Sequence, residues 1–150
     1  MTKTIPTKTI TVEYDLPYPP AKVWRALTEP KLLEAWLMPG DIAPVVGHKF
    51  TMRTQPMGTW DGVIHCEVLV VEPNKRLAYS WKGGARDNPG YGQPLDTVLT
   101  LTLTEKPGGT LLLLEHSGFT DQNEFAFTAM SGGWKSHGGR RLKDVLESLD

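Results

Sequence analysis

The sequence is short of the features that mark several large classes of protein. Cysteine occurs once, as Cys66, so no internal disulfide can form and the paired cysteine spacing of zinc sites is missing. The formal net charge is −1 with no run of five like charges, which is not typical of a nucleic-acid-binding protein. No stretch approaches the roughly 18 apolar residues of a membrane-spanning helix, and the N-terminus lacks the apolar core of a signal peptide. These absences predict a cytoplasmic protein with no metal, cofactor, nucleic-acid partner or membrane span.

The composition is otherwise that of an ordinary globular protein. Hydrophobic residues make up 39% of the chain and charged residues 22%. The length of 150 residues fits one domain, since domains usually have roughly 100–200 residues. A chain of this size buries about two-thirds of its unfolded surface without needing disulfides or metal. We therefore expect a single domain over residues 1–150, with its core over about 8–149.

Alternation of apolar and polar residues predicts about six β-strands. The first covers residues 8–16, where every second residue from Ile10 to Leu16 is apolar. Pro20 and Pro30 each suit the first turn of a short helix that follows this strand. Further alternating segments lie near residues 49–54, 64–70, 77–81, 99–104 and 111–117. Four consecutive leucines, at 111–114, leave the inward register of the last strand open.

The C-terminal segment has helical spacing interrupted by glycine. Apolar residues recur at three- and four-residue steps from Phe127 to Leu149, but the pairs Gly132–Gly133 and Gly138–Gly139 interrupt them. Each glycine costs roughly 1 kcal/mol relative to alanine inside a helix, so we expect the regular helix to begin at about Gly133, with strain or a kink near Gly138. Antiparallel strands with segregated helices predict an α+β fold. The natural arrangement is a curved sheet wrapped around the C-terminal helix.

Several segments together resemble one known family. They are Pro20–Thr28, Leu33–Leu37, Val46–Phe50, Trp60–Gly62, Val71–Leu77, Gly109–Thr110, Glu115–Phe119 and Gly133–Trp134. In this order, over nearly the whole chain, they resemble the SRPBCC (START-related, birch-pollen-allergen-like) superfamily. Within it they look most like homologues of the activator of heat-shock-protein-90 ATPase.

The resemblance implies a helix-grip fold with an internal hydrophobic cavity between the sheet and the C-terminal helix. Members of the superfamily bind lipids, sterols, polyketides and other apolar molecules, and a few are enzymes such as cyclases. The chain departs from the family pattern at Gly138 and Arg141, where apolar helix residues are expected. Replacement of a large side chain by glycine predicts a larger cavity, because the surroundings only partly close such a space.

The candidate ligand-binding residues are aromatic, methionine and histidine side chains. They are Trp36, Phe50, Met52, Tyr79, Trp81, His116, Phe127, Met130 and Trp134. Ligand pockets are mostly apolar with a few polar groups, although each of these side chains could instead fill the core. His116 shares its parity with Leu112 and Leu114, so it faces inward if they do and could hydrogen-bond a ligand. The alternatives are a histidine satisfied by backbone groups, or an inward Glu115.

Catalytic and metal-binding patterns are weak. His65 and Glu67 are expected to point away from the core, because Ile64, Cys66 and Val68 alternate with them and are expected to face it. Cys66 lies mid-strand, where a buried thiol is usually inert. Trp60–Asp61–Gly62 is interpreted as a turn. Arg86, Asp87 and Tyr91 lie in a glycine-rich loop over 83–94 and either gate the cavity or simply face solvent.

The sequence therefore predicts a protein that binds a small hydrophobic or aromatic ligand, lipid-, polyketide- or flavonoid-like. One alternative is a co-chaperone-like module in the stress response that regulates a heat-shock chaperone ATPase by contacting another protein. A second is a cyclase- or hydrolase-like enzyme, which is less expected because no catalytic constellation is found. Exposed strand edges leave both a monomer and a homodimer open.

Overall fold

The fold is one curved antiparallel sheet with helices gathered on its concave side. The structure, a computed structural model, describes residues 7–56, 58–85 and 94–149. The strands are β1 Lys8–Leu16, β2 Lys49–Arg53, β3 Val63–Glu72, β4 Arg76–Gly83, β5 Leu95–Lys106 and β6 Gly109–Phe119. Their order in the sheet is β1-β6-β5-β4-β3-β2, so β1 and β2 form the edges. The predicted α+β helix-grip architecture is confirmed.

Two short helices link β1 to the rest of the sheet. Helix α1 is Pro20–Thr28 and helix α2 is Pro30–Trp36, each with proline in its first turn. Both pack against the C-terminal helix. The Trp36 indole Nε1–H donates a 2.9 Å hydrogen bond to the Ala26 carbonyl, which ties the end of α2 to α1.

Strand β6 resolves the register that the leucine run left open. Leu112, Leu114 and His116 are fully buried, whereas Glu115 lies on the opposite face and is only partly covered. Pairing with β1 sets His116 opposite Ile10 and Leu112 opposite Tyr14. Both partners in β1 are buried. Because paired residues of neighbouring strands lie on the same face of the sheet, the buried face of β1 fixes which residues of β6 point inward. His116 is therefore the inward residue.

The C-terminal helical segment begins well before the predicted position. Helix α3 covers Glu124–Gly133, a π-helical turn covers Trp134–Gly138, and helix α4 covers Gly139–Ser148. The prediction of a start at about Gly133 was wrong because it weighed glycine propensity alone. A short 3₁₀ turn over Asp121–Asn123 precedes α3, and Asn123 Oδ1 accepts hydrogen bonds from the Thr120 backbone N–H and hydroxyl. Capping of this kind stabilises a helix start by about 1 kcal/mol.

The glycine pair at 138–139 does not enlarge the cavity. A Cβ at Gly138 would lie 2.6 Å from the Tyr14 hydroxyl oxygen, and one at Gly139 would lie 2.8 Å from Tyr14 Cδ1. The tyrosine ring therefore occupies the space that the missing side chains leave. Its hydroxyl donates a hydrogen bond to the Trp134 carbonyl within the π turn. The irregularity expected near Gly138 is thus a helix turn fitted against β1, and the expected enlargement was wrong.

The remaining turns follow local chemistry. Gly62 has φ +80°, and a Cβ there would lie 2.4 Å from the Thr54 carbonyl oxygen, so the turn requires glycine. Asp61 Oδ1 accepts a 3.0 Å hydrogen bond from the Val63 N–H. Trp60–Asp61–Gly62 is therefore a turn, as expected. The proposed gating residues Arg86, Asp87 and Tyr91 lie outside the described residues.

No helix among residues 7–56, 58–85 and 94–149 combines the length and apolar character needed to cross a bilayer.

Candidate ligand-binding site

An aromatic pocket opens between helix α2, strand β4 and the C-terminal helical segment. Its volume is about 250 Å³. The lining residues are Trp36, Leu37, Met38, Trp81, Ala129, Met130, Gly133, Trp134, His137, Gly138 and Arg141. Each comes from an element whose apolar face is turned toward the concave side of the sheet, so the pocket is a continuation of the core toward solvent.

Tryptophan 134 is the centre of the pocket wall. Its ring centroid lies 5.9 Å from that of Trp81 in an edge-on arrangement and 6.3 Å from that of Trp36 in a tilted one. Such offset and edge-to-face geometries are the ones that aromatic rings favour. All three indoles are nearly buried, at 2–5% exposure. Their positions are therefore fixed by packing before any ligand arrives.

His116 connects Trp134 to Thr97 through hydrogen bonds on its two ring nitrogens. The Trp134 Nε1–H donates to His116 Nδ1 at 3.2 Å, and His116 Nε2 lies 2.8 Å from Thr97 Oγ1. The Thr97 hydroxyl has one proton, which it donates to the Trp81 carbonyl at 2.8 Å, so it accepts from His116 Nε2–H. These contacts select the neutral tautomer with the proton on Nε2.

Burial makes the neutral state of this imidazole the stable one. Desolvation lowers the pKa of His116 to about 3 from the ordinary 6.5. The ring also lies 4.9 Å from Trp81 and 4.8 Å from Phe119, centroid to centroid. With both nitrogens satisfied, His116 orients the two tryptophans of the wall and does not itself line the pocket.

The structure brings together only some of the predicted ligand-binding residues. Trp36, Trp81, Met130 and Trp134 line the pocket. Phe127 packs edge-on against Phe119, with ring centroids 5.4 Å apart, and is not among the lining residues.

Three further predicted residues are buried in the core. Phe50, Met52 and Tyr79 are buried and do not line this pocket, so their contact with a ligand stays a prediction. Tyr79 packs edge-on against Phe50, with ring centroids 5.3 Å apart. Its hydroxyl is buried with no hydrogen-bond partner within the described part of the chain. Burial, and to a smaller extent Cys66, raise the pKa of Tyr79 well above its usual range.

Sequence reasoning missed Thr97 and most of the pocket rim. Thr97 is 1% exposed, and its parity in β5 places it on the inner face opposite Trp81. Alternation along β5 could have found it. His137 and Arg141 were not predicted to line a pocket, although their i, i+4 spacing continues the face that carries Trp134 and Gly138.

A larger groove of about 730 Å³ lies elsewhere, between the start of α1 and the β3–β4 turn. It has no aromatic lining and carries charges of both signs, including Glu72, Arg76 and Glu105. Because it is neither apolar nor uniform in charge, we do not assign a ligand to it.

Catalytic groups do not gather at the aromatic pocket. Its lining contains no carboxylate, and no cluster of three or more His, Cys, Asp or Glu side chains suited to a metal ion occurs in the described ranges. His65 is exposed and Glu67 partly covered, on the face away from Ile64 and Cys66, as expected. Burial raises the pKa of the Cys66 thiol to about 12, which disfavours the reactive thiolate.

Comparison with known proteins finds solved structures of the same fold. The crystal structure of protein MLL2253 from Mesorhizobium loti is 42% identical, with a TM-score of 0.84 over 95% of this chain and 99% of that one. The solution structure of protein BH1534 from Bacillus halodurans is 26% identical, with a TM-score of 0.73 over 93% of this chain and 96% of that one.

A third similar structure, DynU16, is a protein of the dynemicin biosynthetic locus. It is 24% identical with a TM-score of 0.71, and the match covers 93% of this chain but 47% of DynU16. At that identity the likeness concerns the fold alone. No curated protein matches the chain.

The sequence profile of one family agrees with these folds. The profile described as "Activator of Hsp90 ATPase homolog 1-like protein" matches residues 17–147, which include both short helices, five of the six strands and the C-terminal helical segment. The chain therefore belongs to the family of Activator of Hsp90 ATPase homolog 1-like proteins.

Proposed function

We propose that the protein binds a small aromatic ligand in the pocket walled by Trp36, Trp81 and Trp134. The observation that carries the proposal is the convergence of three indoles from three different elements on one opening of about 250 Å³. A core that served stability alone would have no reason to leave space between its largest side chains, because close packing is the more stable arrangement.

The size of the pocket narrows the ligand class. Sites for drug-sized molecules usually have volumes of about 300–1,000 Å³, so 250 Å³ suits a molecule of one or two fused rings. Sterols, long lipids and extended polyketides are too large to be enclosed there. Burial of ligand surface contributes about 25 cal/mol per Å², and each favourable ring–ring contact adds about 0.5–1.5 kcal/mol.

Adjacent glycines provide a matched pair of variants. A Cβ at Gly132 or at Gly133 meets no atom within 4 Å, so both positions accept a larger side chain. Only Gly133 lines the pocket. Gly133→Leu should fill the opening, whereas Gly132→Leu makes the same chemical change one residue away and leaves the opening free.

The test is a titration with 2-naphthamide, a neutral two-ring aromatic, followed by calorimetry and by NMR of the five tryptophan indole N–H signals. We expect shifts of the Trp36, Trp81 and Trp134 signals, with Trp24 and Trp60 as internal references. Gly132→Leu should bind as the wild type does, and Gly133→Leu should not bind. Equal binding by both variants would contradict the proposed site, and so would shifts confined to Trp24 and Trp60.

A second candidate function, recognition of another protein, has one observation in its favour. Val45 and Val46 are 60% and 62% exposed, and Leu69 is 42% exposed. The Gly47 N–H donates to the Val68 carbonyl, which brings this loop alongside β3. A combined Val46→Ser, Leu69→Ser variant should lose binding to a chaperone ATPase in a pull-down if this surface carries the function. Undiminished capture would exclude the surface.

The cytoplasm is the location that we propose for the protein. Cys66 is a free, buried thiol, and free thiols are typical of reducing compartments. Fractionation of cells that express the tagged chain would test the location, and recovery outside the cytoplasm would contradict it.

A further inference from the structure

The aromatic pocket has charge of one sign at its rim. Arg141 and His137 are the only ionisable side chains among its lining residues. Both are exposed, and they lie one helical turn apart, on the face that carries Trp134 and Gly138. An apolar interior with a cationic edge is the pattern expected of a site for a molecule with an apolar body and an anionic end.

The wider surroundings reinforce this sign. Residues 125–143 contain no Asp or Glu. They contain four fixed cations, which are Lys135, Arg140, Arg141 and Lys143. Asp144 and Glu147 follow on the same helix, so the excess of positive charge belongs to residues 125–143, where it raises the local concentration of anionic ligands.

Arg141 has no charged partner within the described part of the chain. Some of the described surface cations pair with carboxylates, such as Arg25 with Glu29 at 2.8 Å and Lys106 with Asp15 at 2.6 Å, and others do not. Arg141 makes neither an ion pair nor a hydrogen bond with a described residue.

We propose that the natural ligand is an aromatic carboxylate whose ring lies among the tryptophans and whose carboxylate pairs with Arg141. The proposal rests on the proposed function and specifies the chemistry of its ligand. A guanidinium presents two parallel N–H donors to a carboxylate, a geometry that fixes orientation as well as affinity.

His137 is placed to assist as a second donor. Arg140 Nη2 lies 3.4 Å from His137 Nδ1 and donates to it. The proton of the neutral ring is then on Nε2, which leaves that N–H available to an acceptor at the rim. The ligand carboxylate would thus be held from one side of the pocket, by residues four apart on one helix.

The test compares two probes with the same ring system, 2-naphthoic acid and 2-naphthamide, by calorimetry near neutral pH. The wild type should bind the acid roughly fivefold to tenfold more tightly than the amide. Arg141→Gln should remove this preference, because it should weaken binding of the acid more than binding of the amide. Lys143→Gln, which removes one positive charge from the same helix but does not line the pocket, should keep the preference. Added salt should weaken binding of the acid and not that of the amide.

The outcomes separate the two proposals. If the amide binds and the acid binds no more tightly, the carboxylate proposal is wrong and the aromatic site stands. If the preference for the acid survives in Arg141→Gln, or is lost equally in Lys143→Gln, it comes from the overall positive charge of the helix. Either result would overturn the role of Arg141. If neither probe binds, the aromatic site and the carboxylate proposal fail together.

Discussion

Acid should destabilise this protein through His116. Both imidazole nitrogens are committed in the folded state, with Nδ1 accepting from Trp134 and Nε2–H donating to Thr97. Protonation of Nδ1 would break the first of these bonds and place a charge at a site with no exposure to solvent. The rings packed on the imidazole, Trp81, Phe119 and Trp134, include no acidic group that could compensate.

The direction in which stability changes with pH follows from the lowered pKa of His116. Between about pH 3 and pH 6.5 the unfolded chain binds a proton at His116 and the folded chain does not. The stabilisation from keeping this imidazole neutral is therefore complete above the unfolded pKa and is lost as the pH falls toward the folded value. One pKa unit corresponds to about 1.36 kcal/mol, so the loss between pH 6.5 and about pH 5 is roughly 2 kcal/mol as an upper limit.

The assay is urea unfolding followed by tryptophan fluorescence at about pH 7, pH 6 and pH 5. The wild type is compared with His116→Gln, which retains a donor and an acceptor but does not ionise. We expect the free energy of unfolding to fall by roughly 2 kcal/mol more in the wild type than in the variant over this range.

Two results would refute the reasoning. The first is an identical pH dependence in wild type and His116→Gln. The second is an NMR titration that shows His116 protonated in the folded protein at about pH 6. Should His116→Gln fail to fold, Thr97→Val serves instead. It leaves the buried Nε2–H without an acceptor and should cost about 1–3 kcal/mol at neutral pH.

Three further predictions concern the helix and the thiol. Gly138→Ala should lower the free energy of unfolding by about 1–3 kcal/mol through its clash with Tyr14, while Gly132→Ala, where nothing lies within 4 Å, should raise it by about 0.4–1 kcal/mol. Thermal unfolding measures both changes in stability, and a Gly138→Ala variant as stable as the wild type would contradict the close contact between Gly138 and Tyr14. Tyr14→Phe leaves the buried Trp134 carbonyl without its hydroxyl donor and should cost about 1–3 kcal/mol; unchanged amide exchange in the π turn would count against it. Cys66, with its pKa raised to about 12 by burial, should react with a disulfide reagent only in denaturant, and rapid labelling of the native protein would refute this.

The strands were predictable because the alternation of apolar and polar residues that indicates a strand lies within a short stretch of sequence. Alternation placed Ile10, Tyr14 and Leu16 on one face of β1, and the structure buries all three. The same rule failed to orient β6, because leucine occupies both faces over 111–114 and carries no signal of direction. Pairing with β1 supplied the missing information, and pairing is a property of the sheet and not of the strand.

The type of residue that lines the pocket was predictable from the sequence, but the individual residues were not. Large apolar residues from several elements were expected to line it, and Trp36 and Trp134 do. Phe50 and Tyr79 have the same chemistry, yet they lie in the closed core. Tyr79 lies on β4 two residues from Trp81 and on the same face, so alternation along the strand does not tell which of the two borders the opening. Arg141 was singled out as a departure from the family pattern but not as a pocket residue, because charge on an exposed helix face is ordinarily explained by solvation.

The positions of Gly138 and Arg141 both depend on how the buried residues are spaced along the C-terminal helical segment. Six of them recur every fourth position, at Ala126, Met130, Trp134, Gly138, Leu142 and Leu146, and Gly139 and Val145 are buried beside this line. In an uninterrupted α-helix of 3.6 residues per turn, such a line would drift by roughly 200° over its five steps and leave the core. The π turn over Trp134–Gly138 is wider than an α turn and takes up part of this drift. Tyr14 fits against the glycines that this turn brings to the sheet. The same turn sets the rotation of α4, and that rotation decides that Arg141 stands at the pocket edge, beside the indoles, and not on the far side of the helix.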